Sequence, residues 1–163
     1  MRQWWASKIR RTWAYVRARV LPAERQALAG WLTPAQLDVF DAIPIADRRH
    51  GLDVLAYLRS GGVTDPDLLV AGLLHDCGKG PGVRLVHRVA WSLGERYGAW
   101  IWRVTSVLPT FKKALQRLHD HAERSAALAE QAGCSPRTVE LIRHQDEPTD
   151  DAGRLLHEAD EAN

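Results

Sequence analysis

Seven histidines are the side chains in this 163-residue sequence best suited to chemistry near neutral pH, because imidazole titrates there and binds metal ions. His75 stands out, since Asp76 follows it directly at the end of an apolar run, Leu68–Leu74. A run that apolar predicts a buried helix, and a buried carboxylate needs a partner. Adjacent imidazole and carboxylate groups suit one bound ion, and the second carboxylate oxygen can bridge to another ion. A hydrogen-bonded pair at a helix end is the alternative.

The residues from His75 to Lys79 read HDCGK, an instance of the pattern HDxGK. This pattern resembles the signature of the HD superfamily of metal-dependent phosphohydrolases. The two-metal branch of that family has the order H…HD…H…H…D on successive helices. The chain offers a residue for each position in that order: His50, His75, Asp76, His121, His144 and Asp160. The resemblance covers about residues 46–163 and implies an all-α HD-domain bundle.

The resemblance also implies a binuclear metal centre. One ion would be held by His50, His75, Asp76 and Asp160. The other would be held by His121, His144 and the bridging Asp76. Such ligands suit divalent transition metals, Fe or Mn first, with Zn, Co and Ni as alternatives. Two ions lower the pKa of a bridging water and stabilise phosphoryl charge, which hydrolysis of a phosphate ester or anhydride requires.

Basic side chains are candidates for binding a small phosphorylated substrate, expected to be of the nucleotide type. Lys79 lies three residues past Asp76 in a glycine-containing loop and is predicted to neutralise a phosphate oxygen, so both residues are assigned to catalysis. A plain surface lysine is the alternative. Further candidates for anion contact are Arg49, Arg84 and Arg88, with Arg48 and Arg154 as additional ones.

The other histidines are expected outside the ligand set. His157 lies one helical turn before Asp160 and is predicted to orient that carboxylate. His119 belongs to a second His–Asp pair, but its polar surroundings predict a solvated face. A shifted register would put His119 in place of His121, since residues two apart on a helix cannot face the same way. His87 is expected in the core or at the surface, with the substrate cleft as the alternative.

Two other functions remain open. By spacing, the chain is most similar to small bacterial HD hydrolases such as the symmetrical diadenosine tetraphosphatases, which favours hydrolysis. HD-type diiron oxygenases share the same six ligands, and a non-catalytic HD regulatory module is a third alternative. Gln145 stands where some two-metal relatives carry a second histidine, and the GYP signature of cyclic-di-GMP phosphodiesterases is absent.

Prolines, glycines and capping residues mark the predicted helix boundaries, and apolar residues recur at helical spacing between them. One long helix is predicted from near Lys112 to Gly133, and two helices divided near Gly98 are predicted over residues 83–108. The other predicted helices are Ala35–Ala42, a run from about Asp47 to Gly61, Asp67–Asp76, Arg137–His144 and about Asp150–Ala162. The fold is therefore predicted to be all-α.

The N-terminal segment differs from the rest in charge. Residues 1–25 carry seven basic side chains against one acidic, a net charge of +6, whereas the remainder carries −4. We predict a basic amphipathic helical extension over residues 1–30 and an HD domain over 31–163. Tryptophans among the basic residues suit peripheral contact of residues 1–20 with an anionic membrane, although docking on the domain is preferred. No nucleic-acid recognition motif is present, and two cysteines without a signal peptide suggest a cytoplasmic protein.

Overall fold

Prolines and capping side chains determine where the helices begin. The computed structural model describes residue 13 and residues 15–163, and this part of the chain contains helices and no strand, as predicted. The helices of the first half are α1 (Pro22–Leu28), α2 (Pro34–Ala42), α3 (Ile45–Ser60) and α4 (Pro66–Leu74), followed by a 3-10 turn (Cys77–Lys79). The later helices are α5 (Leu85–Tyr97), α6 (Trp100–Thr105), α7 (Pro109–His119), α8 (His121–Gln131), α9 (Pro136–Arg143) and α10 (Asp151–Ala162).

The predicted capping signals are confirmed at several helix starts. Thr33, Asp65, Ser135 and Asp150 each accept a backbone N–H from the first turn of the helix that follows. Each of these bonds satisfies a donor that the helix itself leaves unpaired. The predicted division near Gly98 is also confirmed, because this glycine separates α5 from α6 with a φ of 111° that favours a residue without a Cβ.

Three predicted boundaries were wrong. The long helix from Lys112 to Gly133 is two helices, α7 and α8, separated at Asp120. Helix α4 ends at Leu74 and not at Asp76, so the pair His75-Asp76 lies in the turn that follows. Within the predicted helical extension, Pro22 predicts the end of a first helical stretch, whereas a short helix, α1, begins at this residue. Neither proline nor glycine marks the break at Asp120, which is why the pattern of residues missed it.

The main hydrophobic core joins the helices that carry the candidate site. Helix α4 is buried from Leu68 to Leu74, as its composition predicted, and packs against α3, α9 and α10. Leu28, inside the predicted N-terminal extension, also belongs to this core. A second, smaller core lies around α5 and α7 and contains Val83, Ala114, Leu115 and Leu118.

The predicted amphipathic helix over residues 1–20 lies largely outside the described residues. Of this segment the structure describes Trp13 and residues 15–20, and the helical turn that ends at Arg17 leaves Trp13 and Val16 exposed. Among the described residues, no helix combines the length and the apolar character that crossing a membrane requires.

Candidate metal centre

The candidate centre forms where the buried helix α4 ends. His75 caps this helix and is 1% exposed, and Asp76, 3% exposed, begins the 3-10 turn. The turn packs against α8 so closely that a Cβ on Gly78 would lie 2.5 Å from the carbonyl oxygen of His121. The Gly78 N–H donates to Oγ of Ser125 at 2.8 Å. The glycine of the HDxGK pattern thus brings α8, and His121 at its start, to the His75-Asp76 pair.

Three predicted ligands form one cluster. His50 on α3, His75 and Asp160 on α10 each offer a ligand atom within 4.8 Å of the other two. Nε2 of His50 lies 2.6 Å from Oδ1 of Asp160, and Nε2 of His75 lies 3.4 Å from the same oxygen. Ligand atoms around a transition-metal ion stand roughly 3 Å apart, because each is about 2.1 Å from the ion. The cluster therefore has the dimensions of a metal site.

Asp76 connects this cluster to a fourth helix. Its Oδ1 lies 3.6 Å from Nε2 of His75 and 3.7 Å from Nε2 of His121. One carboxylate oxygen thus faces imidazoles from both predicted ion sites, the position that a bridging ligand would need. His121 takes this place and not His119, so the predicted register is the one observed.

Backbone carbonyls determine which ring nitrogen of two histidines faces the centre. Nδ1 of His75 donates to the carbonyl of Gly72 at 2.9 Å, and Nδ1 of His121 donates to the carbonyl of Leu118 at 2.7 Å. Each bond keeps the proton on Nδ1 of the neutral ring and turns the Nε2 lone pair toward Asp76. Nε2 of His75 and Oδ1 of Asp76 are buried and have no hydrogen-bond partner among the described residues. Buried polar atoms without a partner are costly, so this arrangement fits a cation between them.

Burial and nearby charged side chains together determine the pKa values of the titratable groups in the candidate centre. Burial opposes the charged form of His75, but the carboxylates of Asp76 and Asp160 outweigh it and raise the pKa of His75 to about 9. Burial would raise the pKa of Asp76, but Lys79 and the surrounding imidazoles hold it far below its usual range. The imidazoles of His50 and His75 likewise outweigh burial and lower the pKa of Asp160. The candidate centre therefore keeps its carboxylates ionised and favours a positive charge on His75.

Lys79 lies at the edge of the centre. Its Nζ donates to Oδ2 of Asp76 at 2.5 Å, and its side chain is 16% exposed. The lysine thus neutralises the carboxylate oxygen that does not face the imidazoles. The same ammonium group is partly open to solvent and within reach of an approaching anion.

Two predicted site residues lie differently from expectation. His144 caps α9 and is exposed, and it does not belong to the cluster of ligand atoms among the described residues. His157 donates from Nδ1 to the carbonyl of Gln145 at 3.0 Å, whereas a bond to Asp160 was expected. Gln145 is itself buried and donates from Nε2 to the carbonyl of His75 at 3.1 Å. Hydrogen bonds thus link His157, through Gln145, to the backbone of His75 in the candidate centre.

Most of the arginines predicted to contact substrate are engaged elsewhere. Arg49 pairs with Glu24 at 2.6 Å and with Asp53, so its guanidinium is satisfied by other parts of the chain. Arg84 is exposed at the start of α5. The two additional candidates form ion pairs at other places, Arg48 with Asp41 and Arg154 with Asp151.

Arg88 leads to a residue that sequence reasoning missed. It pairs with Asp47 at 2.7 Å, and Asp47 is 3% exposed on α3, one turn before His50. Burial raises the pKa of Asp47, as does the charge of nearby Asp76, while Arg88 and Lys79 oppose this. The sequence offered one signal, an acidic side chain on the same helical face as a proposed ligand.

His119 and His87 were predicted to lie outside the ligand set, and neither belongs to the cluster of ligand atoms among the described residues. His119 is exposed and pairs with Asp120 at the edge of a cleft of about 440 Å³ that Trp91 and Trp102 also line. His87 is buried against Phe111 and accepts the backbone N–H of Arg84, so it belongs to the interior of the protein.

No protein-family model, curated protein or solved structure matches this chain. The functional argument therefore rests on the residues themselves and on their geometry.

Proposed function

We propose that this protein is a metal-dependent phosphohydrolase of the HD class, with a centre for two divalent transition-metal ions. One observation carries the proposal: Nε2 of His75 and Oδ1 of Asp76 face each other at 3.6 Å, buried and without a hydrogen-bond partner. Both are acceptors when His75 is neutral, so only a shared cation satisfies them. In the metal-free protein a proton on His75 does this below about pH 9, and a bound metal ion would take the place of that proton.

The side chains divide between two ion sites. The first ion would be held by His50, His75, Asp76 and Asp160. The second would be held by Asp76, His121 and His144. The contacts support the first site more directly, because His144 is exposed and stands apart from the cluster. The donors are imidazole and carboxylate, and the nearest thiol, Cys77, is buried with its pKa raised to about 12 by burial, so it contributes no thiolate. This donor set suits Fe or Mn, with Zn, Co and Ni as alternatives.

The substrate that fits such a centre is a small phosphorylated molecule, of the nucleotide type by resemblance to HD hydrolases. Bound divalent ions supply a Lewis acid and a water molecule of lowered pKa. Lys79 would contribute positive charge for a phosphate oxygen from beside Asp76. The carbonyls of Gly72 and Leu118 keep the imidazoles of His75 and His121 in the tautomer that binds metal.

Metal analysis combined with a phosphatase screen tests the proposal. Wild-type protein loaded with Mn or Fe should retain metal after gel filtration and hydrolyse members of a panel of nucleotides and dinucleotides. Asp76→Asn should lose both metal and hydrolysis, because Asp76 contacts both sites. Asp151→Asn, on a carboxylate that is 94% exposed, is the matched control and should retain both.

The outcomes separate the alternatives. An Asp76→Asn variant that kept its metal and full turnover would contradict the site. Metal binding with turnover that strictly requires O₂ and Fe(II) would assign an oxygenase instead. A folded wild-type protein that binds no transition metal would leave a non-catalytic helical module.

A further inference from the structure

Exposed apolar side chains are concentrated in one segment of the structure, between Val86 and Leu108. Val107 is 80% exposed and Val104 64%, and four further large apolar residues in the same segment are also exposed. We call these six residues the apolar surface: Val86, Val89, Trp100, Val104, Val107 and Leu108. Singly exposed apolar residues are ordinary, but a concentration of this kind marks an interaction site.

The helices that carry the apolar surface lie side by side. Trp102 of α6 stacks on Trp91 of α5 with ring centroids 4.7 Å apart, and its Nε1 donates to the Trp91 carbonyl at 3.2 Å. The indole of Trp102 also fills the space beside Gly94. Helix α6 therefore folds back along α5, and both helices turn their inner sides to the second core. Val86, Val89, Trp100 and Val104 lie on the parts of these helices left to solvent, and Val107 and Leu108 follow α6 in the turn before α7.

The same segment is strongly basic. Residues 84–113 carry six basic side chains and one acidic, a net charge of +5, whereas residues 114–163 carry five against eleven, or −6. Arg88 is paired with Asp47, but the other basic side chains of the segment form no ion pair within the described residues: Arg84, Arg96, Arg103, Lys112 and Lys113. The charge that accompanies the apolar surface is thus free to meet an external anion.

The N-terminal segment approaches the same helices. The ring of Tyr15 lies 5.3 Å from the guanidinium of Arg88 on α5. Close to this contact, Trp13 and Val16 are 58% and 67% exposed. Two basic segments with exposed tryptophan and valine side chains therefore meet at one part of the molecule.

We propose that the apolar surface and its basic side chains bind the protein to an anionic lipid bilayer. Valine, leucine and tryptophan flanked by arginine and lysine are the composition of helices that lie in a membrane interface, with apolar groups among the acyl chains and cations at the lipid phosphates. A second copy of the chain would bring one basic segment against another and is disfavoured. Residues 1–12 carry basic and no acidic side chains, so covering the surface with them would meet the same repulsion.

Vesicle co-sedimentation of the full chain tests this proposal. Wild-type protein should bind phosphatidylcholine vesicles that contain phosphatidylglycerol and should not bind pure phosphatidylcholine. The double variant Val104→Asp/Val107→Asp should bind at least about tenfold more weakly, because it removes apolar insertion and adds negative charge. Leu155→Asp is the matched control, since Leu155 is 44% exposed on α10 in the acidic half, and its binding should equal that of wild type.

Charge is tested separately from insertion. Arg103→Gln, Lys112→Gln and Lys113→Gln should each weaken binding by about fivefold at low salt, and added salt should reduce these differences. Chelation of metal should leave vesicle binding unchanged, so failure of this proposal is distinguishable from failure of the hydrolase proposal. Comparable thermal unfolding of every variant verifies that it is folded.

Three results would overturn the proposal. In the first, wild-type protein fails to bind the anionic vesicles. In the second, Val104→Asp/Val107→Asp binds them as well as wild type, which would assign vesicle binding to the N-terminal segment alone. In the third result, wild-type protein would form a concentration-dependent dimer that the double variant abolishes, without binding vesicles. That last outcome would assign the apolar surface to a second copy of the chain.

Discussion

Lys79 donates from Nζ to Oδ2 of Asp76 across 2.5 Å, while Oδ1 of the same carboxylate faces the imidazoles of His75 and His121. The two carboxylate oxygens of Asp76 therefore have different neighbours. One is neutralised by an ammonium group of the same turn, and the other faces two imidazoles, where the proposed metal ions would bind. Asp76 and Lys79 stand three positions apart in the sequence, so one turn of the chain brings them together.

Replacing Lys79 by Met distinguishes metal binding at Asp76 from the contribution of the lysine charge to turnover. The variant should retain bound metal, because the charge of Asp76 then attracts cations without competition. Under the proposed function, kcat/KM for a phosphorylated substrate should fall about 10- to 100-fold, the value of a charge-assisted hydrogen bond. Metal content and steady-state kinetics check both statements. Lys113→Met is the control on an exposed lysine, and unchanged turnover in Lys79→Met would assign Lys79 a structural role only.

The Asp47–Arg88 ion pair should be strongly coupled in stability. Arg88→Met leaves the buried carboxylate of Asp47 unpaired and should lower the free energy of unfolding by about 3–5 kcal/mol. Asp47→Asn should cost less, because Arg88 keeps some contact with solvent, and the double variant should cost less than the sum of the two. Urea denaturation of the four proteins measures the coupling.

A surface pair provides the comparison for this cycle. Arg137 and Glu140 pair at 2.9 Å one turn apart, with both side chains substantially exposed. Their coupling should be at most about 0.5 kcal/mol. If the Asp47–Arg88 cycle were equally additive, the buried pair would have no special role in holding α5 beside the candidate metal centre.

Much of the fold is predictable from local chemistry. Pro34, Pro66 and Pro136 follow capping residues and begin helices where the sequence predicts them. These signals act within one helical turn, so they can be recognised in the sequence without knowledge of the tertiary structure. The break at Asp120 has no such signal, because the residues on both sides continue the helical pattern of apolar positions. In the structure α8 packs against the 3-10 turn, a tertiary contact that local residue patterns do not indicate.

The candidate site is predictable where the order of its side chains along the chain matches the order of the helices that carry them. His50, His75, Asp76, His121 and Asp160 come together as their order along the chain suggested. Asp47 was missed because its partner Arg88 lies 41 residues away, and no periodicity connects them. Gln145 was noted only as a departure from a histidine, whereas the structure gives it a definite task, holding the carbonyl of His75.

The stability of the metal-free protein should depend on pH through His75. Its pKa in the folded protein is raised to about 9 from an ordinary value of 6.5, so the folded state binds this proton more tightly than the unfolded chain. The resulting stabilisation is fully present below pH 6.5 and is lost as the pH rises through about 9. The free energy of unfolding of chelator-treated protein should therefore fall across this interval, by an amount on the order of 1–3 kcal/mol.

Metal-loaded protein is the control for this pH dependence. A bound ion takes the place of the proton on His75, so loaded protein should not lose stability across the same interval. His119→Gln, which alters an exposed imidazole outside the centre, should leave the metal-free profile unchanged. Stability of the metal-free protein that stayed constant or rose over this interval would contradict the assignment to His75.

Gly78 controls how closely α8 approaches the candidate metal centre. A Cβ at this position would lie 2.5 Å from the carbonyl oxygen of His121 and 2.6 Å from the backbone nitrogen of Ser125, and backbone atoms cannot rotate away. Gly78→Ala should therefore lower the free energy of unfolding by about 1–3 kcal/mol and displace His121 from Asp76. Metal titration should show a larger loss at the ion site that uses His121 than at the site formed by His50, His75 and Asp160. Gly82→Ala is the matched control, since its Cβ would meet only the flexible end of Arg117 at 3.5 Å. Equal stability and equal metal binding in the two variants would show that the contact of α8 with the turn does not position His121.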